Sequence, residues 1–513
     1  MIHLGVDFGT TNSVVAAHDG TGCQVLHHRL ATTDGAVLVE PVFPSVVALG
    51  PRGEPAYGLA AEALARHESA DVLRSIKREL SGYFEGKQIA LGSRSLPLRG
   101  VLTGLLSELL RSARESIDLS DRDEVDVVAT VPANANGAQR WITRRALIDS
   151  GFGPRVRLLD EPTAAALEFV ARSLRRRRGQ PVEPTTVLVY DLGGGTFDAS
   201  LVRIEGERVE VVANGGIWRL GGDDFDAALE DVVVDLLDID VGRLSLLQRR
   251  NLRAECRRAK ESLSAYPREP RTLPVSTTDL GIRGRKGSEA RVPIDAFHAR
   301  LDPMLAESLE VVEEVLEGQE RPDRVVLVGG STLLPHVART LTDRFPVVVR
   351  GNRPFESVAV GAAMSHEIAP ARLTRRLARH FGVLRLGGDD QGWEYIDVLF
   401  RRGTEVPAPG EVTVIERGPY DPRYDVGVLR YLECASITPD GRPGRNRRDW
   451  QVIRFPYDPA LPPGLSLADR PSTRREGLGS WITEQYVLDS DGVVSVRISR
   501  HPDGHTELHE VCG

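Results

Sequence analysis

Apolar and polar positions along this chain fall into short runs that switch between a strand period and a helix period. Val187 to Tyr190 are wholly apolar or aromatic β-formers, as in a buried strand, and they lead into Asp191, Gly193, Gly194, Gly195, Thr196 and Asp198 before apolar positions resume to Val202. The order predicts strand, tight glycine turn, strand. His3 to His18 (HLGVDFGTTNSVVAAH) repeats the layout: Asp7 ends an apolar strand, Gly9, Thr10, Thr11 and Asn12 make the turn, and a second apolar strand follows. Between these hairpins, Glu124 to Pro132 reads as a strand and Gln139 to Ser150 as an amphipathic helix closed by Gly151. Val156 to Leu159 is a short strand leading through Asp160, Glu161 and Pro162 into the helix TAAALEFVARSL. Arg175 to Arg178 read as its solvated end, where positive charge suits the helix dipole, rather than as a nucleic-acid site.

After the central hairpin, Arg219 to Asp226 predicts a glycine turn at Gly221 and Gly222 running into an acidic helix start, with helix continuing from Ala227 to Leu237. Asn251 to Leu263 has the spacing of a further amphipathic helix, Pro270 to Val292 alternates like a small β unit, and Asp295 to Leu316 is a long helix. Arg324 to Val328 is a buried strand before a third glycine turn, Gly329, Gly330 and Ser331, and a helix at Pro335. Small residues within Phe355 to Met364 allow a helix there to pack closely. Beyond Ile368 the pattern changes. Ala369 to His380 is basic and broken by proline, a linker or short helix, and Phe381 to Val511 holds eight short alternating runs that predict an antiparallel sandwich. Asp489 to Gly492 is a hairpin between the sixth and seventh runs, and Ser466 to Ser480 a polar, mobile insertion.

Composition narrows the function classes. At 513 residues the chain should hold two to four domains, and a net charge of −8 gives no general attraction to nucleic acid or anionic membrane. Met1 to Ala17 lacks a basic start and a continuous apolar run, and no apolar stretch approaches the roughly 18 residues of a membrane span, so a cytoplasmic protein is expected. Cys23, Cys256, Cys434 and Cys512 form no CxxC pair and read as ordinary thiols. Lysine is scarce: Lys77, Lys87, Lys260 and Lys286 stand against 61 arginines.

The glycine turns carry the candidate chemistry. Backbone amides in such a turn can hydrogen-bond phosphate oxygens, whereas Asp191 and Asp198 repel phosphate unless a cation intervenes. The stretch therefore asks for phosphate plus magnesium. Two such hairpins facing each other can hold a polyphosphate between them, and this duplication is a stronger signal than either turn.

With the pieces in order, the first 368 residues resemble the nucleotide-binding domain of the seventy-kilodalton heat-shock chaperone family, within the actin and sugar-kinase superfamily. The likeness rests on GVDFGTTNS at Gly5, SIKREL at Ser75, TVPANANGAQR at Thr130, DEPTAAAL at Asp160, DLGGGTFD at Asp191, LGGDDFD at Leu220 and LVGGSTLLP at Leu327. YIDVLFRRGTEVP, PYDPALPPG and EQYVLDSDGVVSVRI carry a weaker likeness to that family's peptide-binding sandwich. The resemblance implies a duplicated, ribonuclease H-like α/β ATPase domain of actin type over residues 1–368, with lobes 1–184 and 185–368, then a linker at 369–380 and an all-β sandwich domain at 381–513.

It also implies site roles, with ATP or ADP and magnesium as cofactors. Asp7 and Asp191 hold the metal through water; Lys77 touches the γ-phosphate; Glu161 and Asp198 help orient water and metal; Thr10, Thr11 and Thr196 bind phosphate oxygens. Gly9, Asn12, Gly193, Gly194, Gly195, Gly221, Gly222, Lys260, Ser264, Gly329, Gly330 and Ser331 complete the nucleotide positions. Lys77 and Lys260 being kept in an arginine-rich chain supports selection for an ammonium. Pro132, Arg140 and Arg157 match residues that link the family's two domains, and Ile396 lies near its peptide-contact arch although an apolar strand residue reads first as core. Departures lie around the base, where Arg257 and Glu261 exchange charge relative to the family and Leu333 and Phe355 replace an arginine and an aspartate, and in the linker, where Ala369 to His380 is basic. With this sequence ending at Gly513, the resemblance leads to the expectation of a sandwich without the family's helical lid.

The expected function is a slow magnesium-dependent ATPase whose lidless sandwich binds peptide segments or a partner protein, with a J-domain-type co-chaperone and a nucleotide-exchange factor as further partners and neither nucleic acid nor membrane. The alternative is a nucleotide-sensing adaptor with one dedicated partner. A small-molecule kinase or an actin-like filament ranks behind both.

Overall fold

The computed structural model describes residues 2–31, 37–50, 53–65, 70–117, 125–176, 183–206, 208–265, 269–278, 289–350, 354–367, 373–386, 394–444, 447–462, 465–468 and 470–510. Two sheets of like topology dominate its first three quarters. In the first, Ile2–Asp7 pairs in parallel with Val125–Val131, which pairs in parallel with Val156–Asp160, while Asn12–His18 and Cys23–Val25 follow antiparallel on the other side. In the second, Thr185–Leu192 pairs in parallel with Arg324–Val328, then Val348–Arg350, with Phe197–Glu205 and Arg208–Ile217 antiparallel beyond it. Strand order and sense are the same in both sheets. Asp7 and Asp191 therefore occupy equivalent places, near the end of each central strand.

The helices Glu161–Arg176 and Ser357–Met364 lie between the sheets, sharing a core with Val128 and Leu159 of the first and Val187, Val189 and Val326 of the second. Their contact is close because the residues are small. A Cβ on Gly361 would sit 1.7 Å from the Ala164 carbonyl oxygen, and one on Gly5 would sit 2.1 Å from that of Ala359. The outer face of the first sheet is covered by the helix Leu98–Ser116, whose Leu98, Leu102, Leu105, Leu106 and Leu109 are buried at helical spacing.

From His380 onward the chain is β throughout its named elements. His380–Leu386, Glu394–Phe400, Val426–Cys434 and Arg448–Pro456 form one four-stranded sheet, and Val412–Tyr420, Trp481–Asp489, Val494–His501 and Thr506–Glu510 another. Phe381, Leu429, Tyr431 and Phe455 of the first face Tyr486, Val496 and Ile498 of the second across one core. Two details depart from the sequence reading. The described part of 369–380 contains no helix: Leu373–Thr374 adds a short strand to the edge of Arg208–Ile217, where backbone pairing at the open edge satisfies its polar groups. Ser466 to Ser480 is tied down rather than loose, with the Asp425 carboxylate accepting from the Thr473 amide at 2.7 Å and from Arg470 at 3.3 Å.

Buried charges join the two sheets of the C-terminal sandwich to the rest. In the hairpin after Trp481–Asp489, Asp491 accepts from the Leu158 amide at 2.8 Å and pairs with Arg144 at 2.7 Å, and Arg144 also pairs with Asp489 at 2.7 Å. Glu433 accepts from the Gly137 amide at 2.9 Å, at the start of the helix Gly137–Leu147, and pairs with Arg379 at 3.3 Å. Arg375 donates to the carbonyls of Leu158 and Ser490.

Candidate active site

Two glycine loops meet face to face. A Cβ on Gly194 would fall 1.9 Å from Thr11 Oγ1, and one on Gly195 2.3 Å from Thr10 Cγ2, so bare backbone is what lets residues 9–12 and 193–196 approach. Gly221 packs on the same loop, with a Cβ there 2.7 Å from the Gly194 carbonyl carbon, and the Asp223 amide donates to the Gly194 carbonyl at 2.7 Å. Ser331 Oγ donates to the Gly193 carbonyl at 2.8 Å, bringing the third glycine turn alongside. The left-handed Gly329 (φ 82°) would place a Cβ 2.7 Å from Asp191 Oδ1.

Between the loops lies a cavity of about 420 Å³. Asp7, Gly9, Thr10, Thr11, Asn12, Lys77, Glu161, Asp191, Gly193, Gly194, Thr196, Gly222, Lys260, Ser264, Gly329, Gly330 and Ser331 line it. Asp198, Gly195 and Gly221 stand immediately behind. Asp198 is 1 % exposed, on the strand after the central turn and paired in register with Asp191.

Lys77 enters from the 3₁₀ helix Ile76–Gly82, placed by a left-handed Ser75 (φ 56°). Its ammonium donates to Glu161 Oε1 at 2.6 Å, and both groups are buried. Burial pulls the Lys77 pKa down, but Glu161 and Asp7 outweigh it and hold the ammonium charged. The carboxylates are pushed the other way. Asp7 is raised from 3.8 to about 7 by burial and by Glu161, against the pull of Lys77 and a 3.2 Å hydrogen bond from Thr130. Asp191 and Asp198 are raised well above the ordinary range by burial and by Glu161. Asp198 Oδ1 has no hydrogen-bond partner.

Four carboxylates around one ammonium leave an excess of negative charge that a cation would relieve. Among the described residues no three acidic, histidine or cysteine side chains close into a direct metal cage. Carboxylates beside phosphate-binding loops are a donor set that suits magnesium, which keeps most of its waters and takes one or two carboxylates plus substrate phosphates.

A clasp across the cleft joins the SIKREL stretch at Ser75, and Thr11, to the LGGDDFD stretch at Leu220, through contacts that the sequence reading does not assign. Ser75 Oγ donates to Asp223 at 2.5 Å, Thr11 Oγ1 to Asp223 at 3.4 Å, and Arg78 to Asp224 at 2.8 Å and to the Gly195 carbonyl at 3.0 Å. Both stretches are recognisable as motifs, but nothing in either says which of their side chains meet. Lys260 pairs with Asp226 at 2.7 Å and donates to the Gly222 carbonyl at 2.8 Å, so it buttresses the loop from behind. Arg140 pairs with Asp160 at 2.6 Å, next in sequence to Glu161, and reaches the Asp491 carbonyl at 3.3 Å. Arg157 pairs instead with Asp126 at 3.2 Å. Ile396 is 5 % exposed and packs with Leu384, Leu432 and Cys434, as core.

Like-ordered sheets closing glycine loops and carboxylates over one cavity define an α/β protein suited to a polyphosphate and a cation. Residues 101–376, more than half of the chain, match the family model described as Hsp70 protein, and the chain belongs to the Hsp70 family. Members of that family are chaperone-type ATPases that bind ATP or ADP with magnesium. Among the described residues no helix is long and apolar enough to cross a membrane.

Proposed function

We propose that this chain is a slow, magnesium-dependent ATP hydrolase of the cytoplasm that uses its nucleotide state to control a peptide or partner protein held by its β-sandwich. In this reading residues 1–368 are a duplicated, ribonuclease H-like ATPase domain of actin type with lobes at 1–184 and 185–368, residues 369–380 are a linker, and residues 381–513 bind the client. The observation that carries it is the Lys77–Glu161 pair at 2.6 Å, set among Asp7, Asp191 and Asp198 beneath two facing glycine loops.

The chemistry asks mainly for positioning and charge neutralisation. Amides of residues 194–196 and the hydroxyls of Thr10, Thr11 and Thr196 would bind phosphate oxygens, the Gly193 amide being held by the Thr196 carbonyl, and Lys77 would touch the γ-phosphate. Asp7 and Asp191 would hold hydrated magnesium, which when bound neutralises charge on the β- and γ-phosphates. Glu161 and Asp198 would help orient the attacking water and the metal. Burial and the nearby Glu161 lift the Asp7 pKa to about 7, and a bound cation would favour its ionised form. Phosphate release from purified full-length protein with magnesium and ATP tests the proposal: Lys77→Ala and Asp7→Ala should each lower turnover at least tenfold, and equal turnover in both variants and the native chain would sink it.

A second reading has its own observation. Arg375 and Arg379 of the 369–380 segment are buried in contact with the sandwich and the first sheet. Such a pinned junction suits an adaptor that recognises one dedicated partner. Fluorescence anisotropy of generic unfolded peptides, with and without ATP, separates the two: nucleotide-dependent binding favours the chaperone, and none favours the adaptor. Family membership supports a J-domain-type co-chaperone and a nucleotide-exchange factor as partners.

A further inference from the structure

Beyond Gly222 and Lys260 the cavity runs between two unlike walls. On one side Leu333, Leu334, Pro354, Phe355 and Val358 present apolar and aromatic surface, and on the other the helix Leu246–Ser262 presents Arg257 and Glu261. Those two are one helical turn apart and paired through Arg257 Nε and Glu261 Oε1 at 3.0 Å. Arg257 is mostly covered and Glu261 is 57 % exposed; burial disfavours the guanidinium charge, and nearby carboxylates, Glu261 foremost, more than offset it.

We infer that this end of the cleft binds guanine as well as adenine, making guanine nucleotides a second ligand class of the protein. The inference rests on the nucleotide reading of the cavity. Its basis is the pattern of donors and acceptors. A carboxylate can only accept, and a guanidinium can only donate. Guanine matches that pair along one edge and its neighbour: N1–H and the 2-amino group donate side by side to a carboxylate, while O6 and N7 accept side by side from an arginine fork. Adenine meets the same pair through fewer bonds, its 6-amino group donating once to the carboxylate and N7 accepting once from the arginine, so the pair admits both purines and gives guanine the additional contacts. Leu333, Leu334, Pro354, Phe355 and Val358 add no polar side chain, and Glu40, which also lines the cavity, can likewise only accept. Phe355 and Leu333 give stacking and apolar contact that any purine satisfies equally. The remaining hydroxyl, Ser264, is committed to the Glu261 carbonyl at 2.7 Å.

The test is displacement of a fluorescent ADP analogue from the full-length protein with magnesium by ATP, GTP and CTP, followed by the same titrations on Glu261→Gln. The expected result is a GTP affinity within about tenfold of ATP or tighter, with CTP weaker than both, and a GTP-to-ATP affinity ratio that falls about tenfold in Glu261→Gln, the size of one lost bidentate contact to guanine. Glu261 is largely exposed, so the substitution leaves folding intact. GTP weaker than ATP by more than tenfold in the native chain overturns the inference while leaving the ATPase reading standing, as does an unchanged ratio in Glu261→Gln. Failure of the ADP analogue to bind overturns both.

Discussion

Removing one carboxylate should release the sandwich from the rest of the chain. Asp491 is 6 % exposed. Its Oδ1 accepts from the Leu158 amide at 2.8 Å and its Oδ2 pairs with Arg144 at 2.7 Å. It also offsets burial of the Arg375 guanidinium, whose pKa is lowered by desolvation against the pull of Asp160 and Asp491. Asp491→Ala therefore orphans a buried amide and strips a buried cation of a counter-charge. Breaking a buried pair typically costs 3–5 kcal/mol, and because Arg144 keeps Asp489 the lower end applies, about 3 kcal/mol. These bonds all cross the junction, so the loss falls on docking, roughly a hundredfold in the docked population. Asp491→Asn keeps an acceptor for Leu158 and loses only the charge, about 1–2 kcal/mol. Small-angle scattering, protease sensitivity within 369–380 and the emission of Trp450, whose ring packs against Gly137, report the change. An Ala variant as compact and protease-resistant as the native chain, with an unchanged melting profile, would refute the reasoning.

Three further outcomes follow from the geometry. Arg78→Ala removes bonds to Asp224 and the Gly195 carbonyl from a mostly covered pair, so stability should drop by about 1–3 kcal/mol in chemical denaturation, while stopped-flow release of a fluorescent ADP analogue should accelerate severalfold. Gly361→Ala should destabilise by about 1–3 kcal/mol in chemical denaturation, because the contact of its Cβ at 1.7 Å with the Ala164 carbonyl exceeds the helix-propensity gain of about 1 kcal/mol. For metal-free protein, a folded-state Asp7 pKa raised to about 7 favours the protonated folded form, so its contribution to stability is complete below pH 4 and is lost as pH rises through 7; melting temperatures across pH 5 to 9, with and without magnesium, should show that loss and its reversal by the cation.

Much of this protein was legible in local pattern. The strand–glycine–strand hairpins ending in Asp7 and Asp191, the helix from Glu161, and all eight C-terminal strands follow from runs of β-formers, turn residues and helical spacing, which act over a few residues and leave a direct trace. The helix Leu98–Ser116 carries an equally plain apolar stripe and would have yielded to the same count. Other features had no such trace. Linker residues Leu373–Thr374 became a strand because an open edge at Val209 and Glu210 was within reach, and Ser466 to Ser480 was held by Asp425. Which charges meet, Arg78 with Asp224, Glu433 with the Gly137 amide, Asp491 with Arg144, depends on distances between segments far apart in the chain. The sequence by itself determined the elements, the two glycine hairpins and the residue types a phosphate and a cation require, because backbone conformation and amphipathicity are local. Only the tertiary structure decided that Lys77 meets Glu161, that Thr10 and Thr11 touch Gly194 and Gly195, and how the sandwich is held, since burial and charge pairing arise only when distant strands and helices pack.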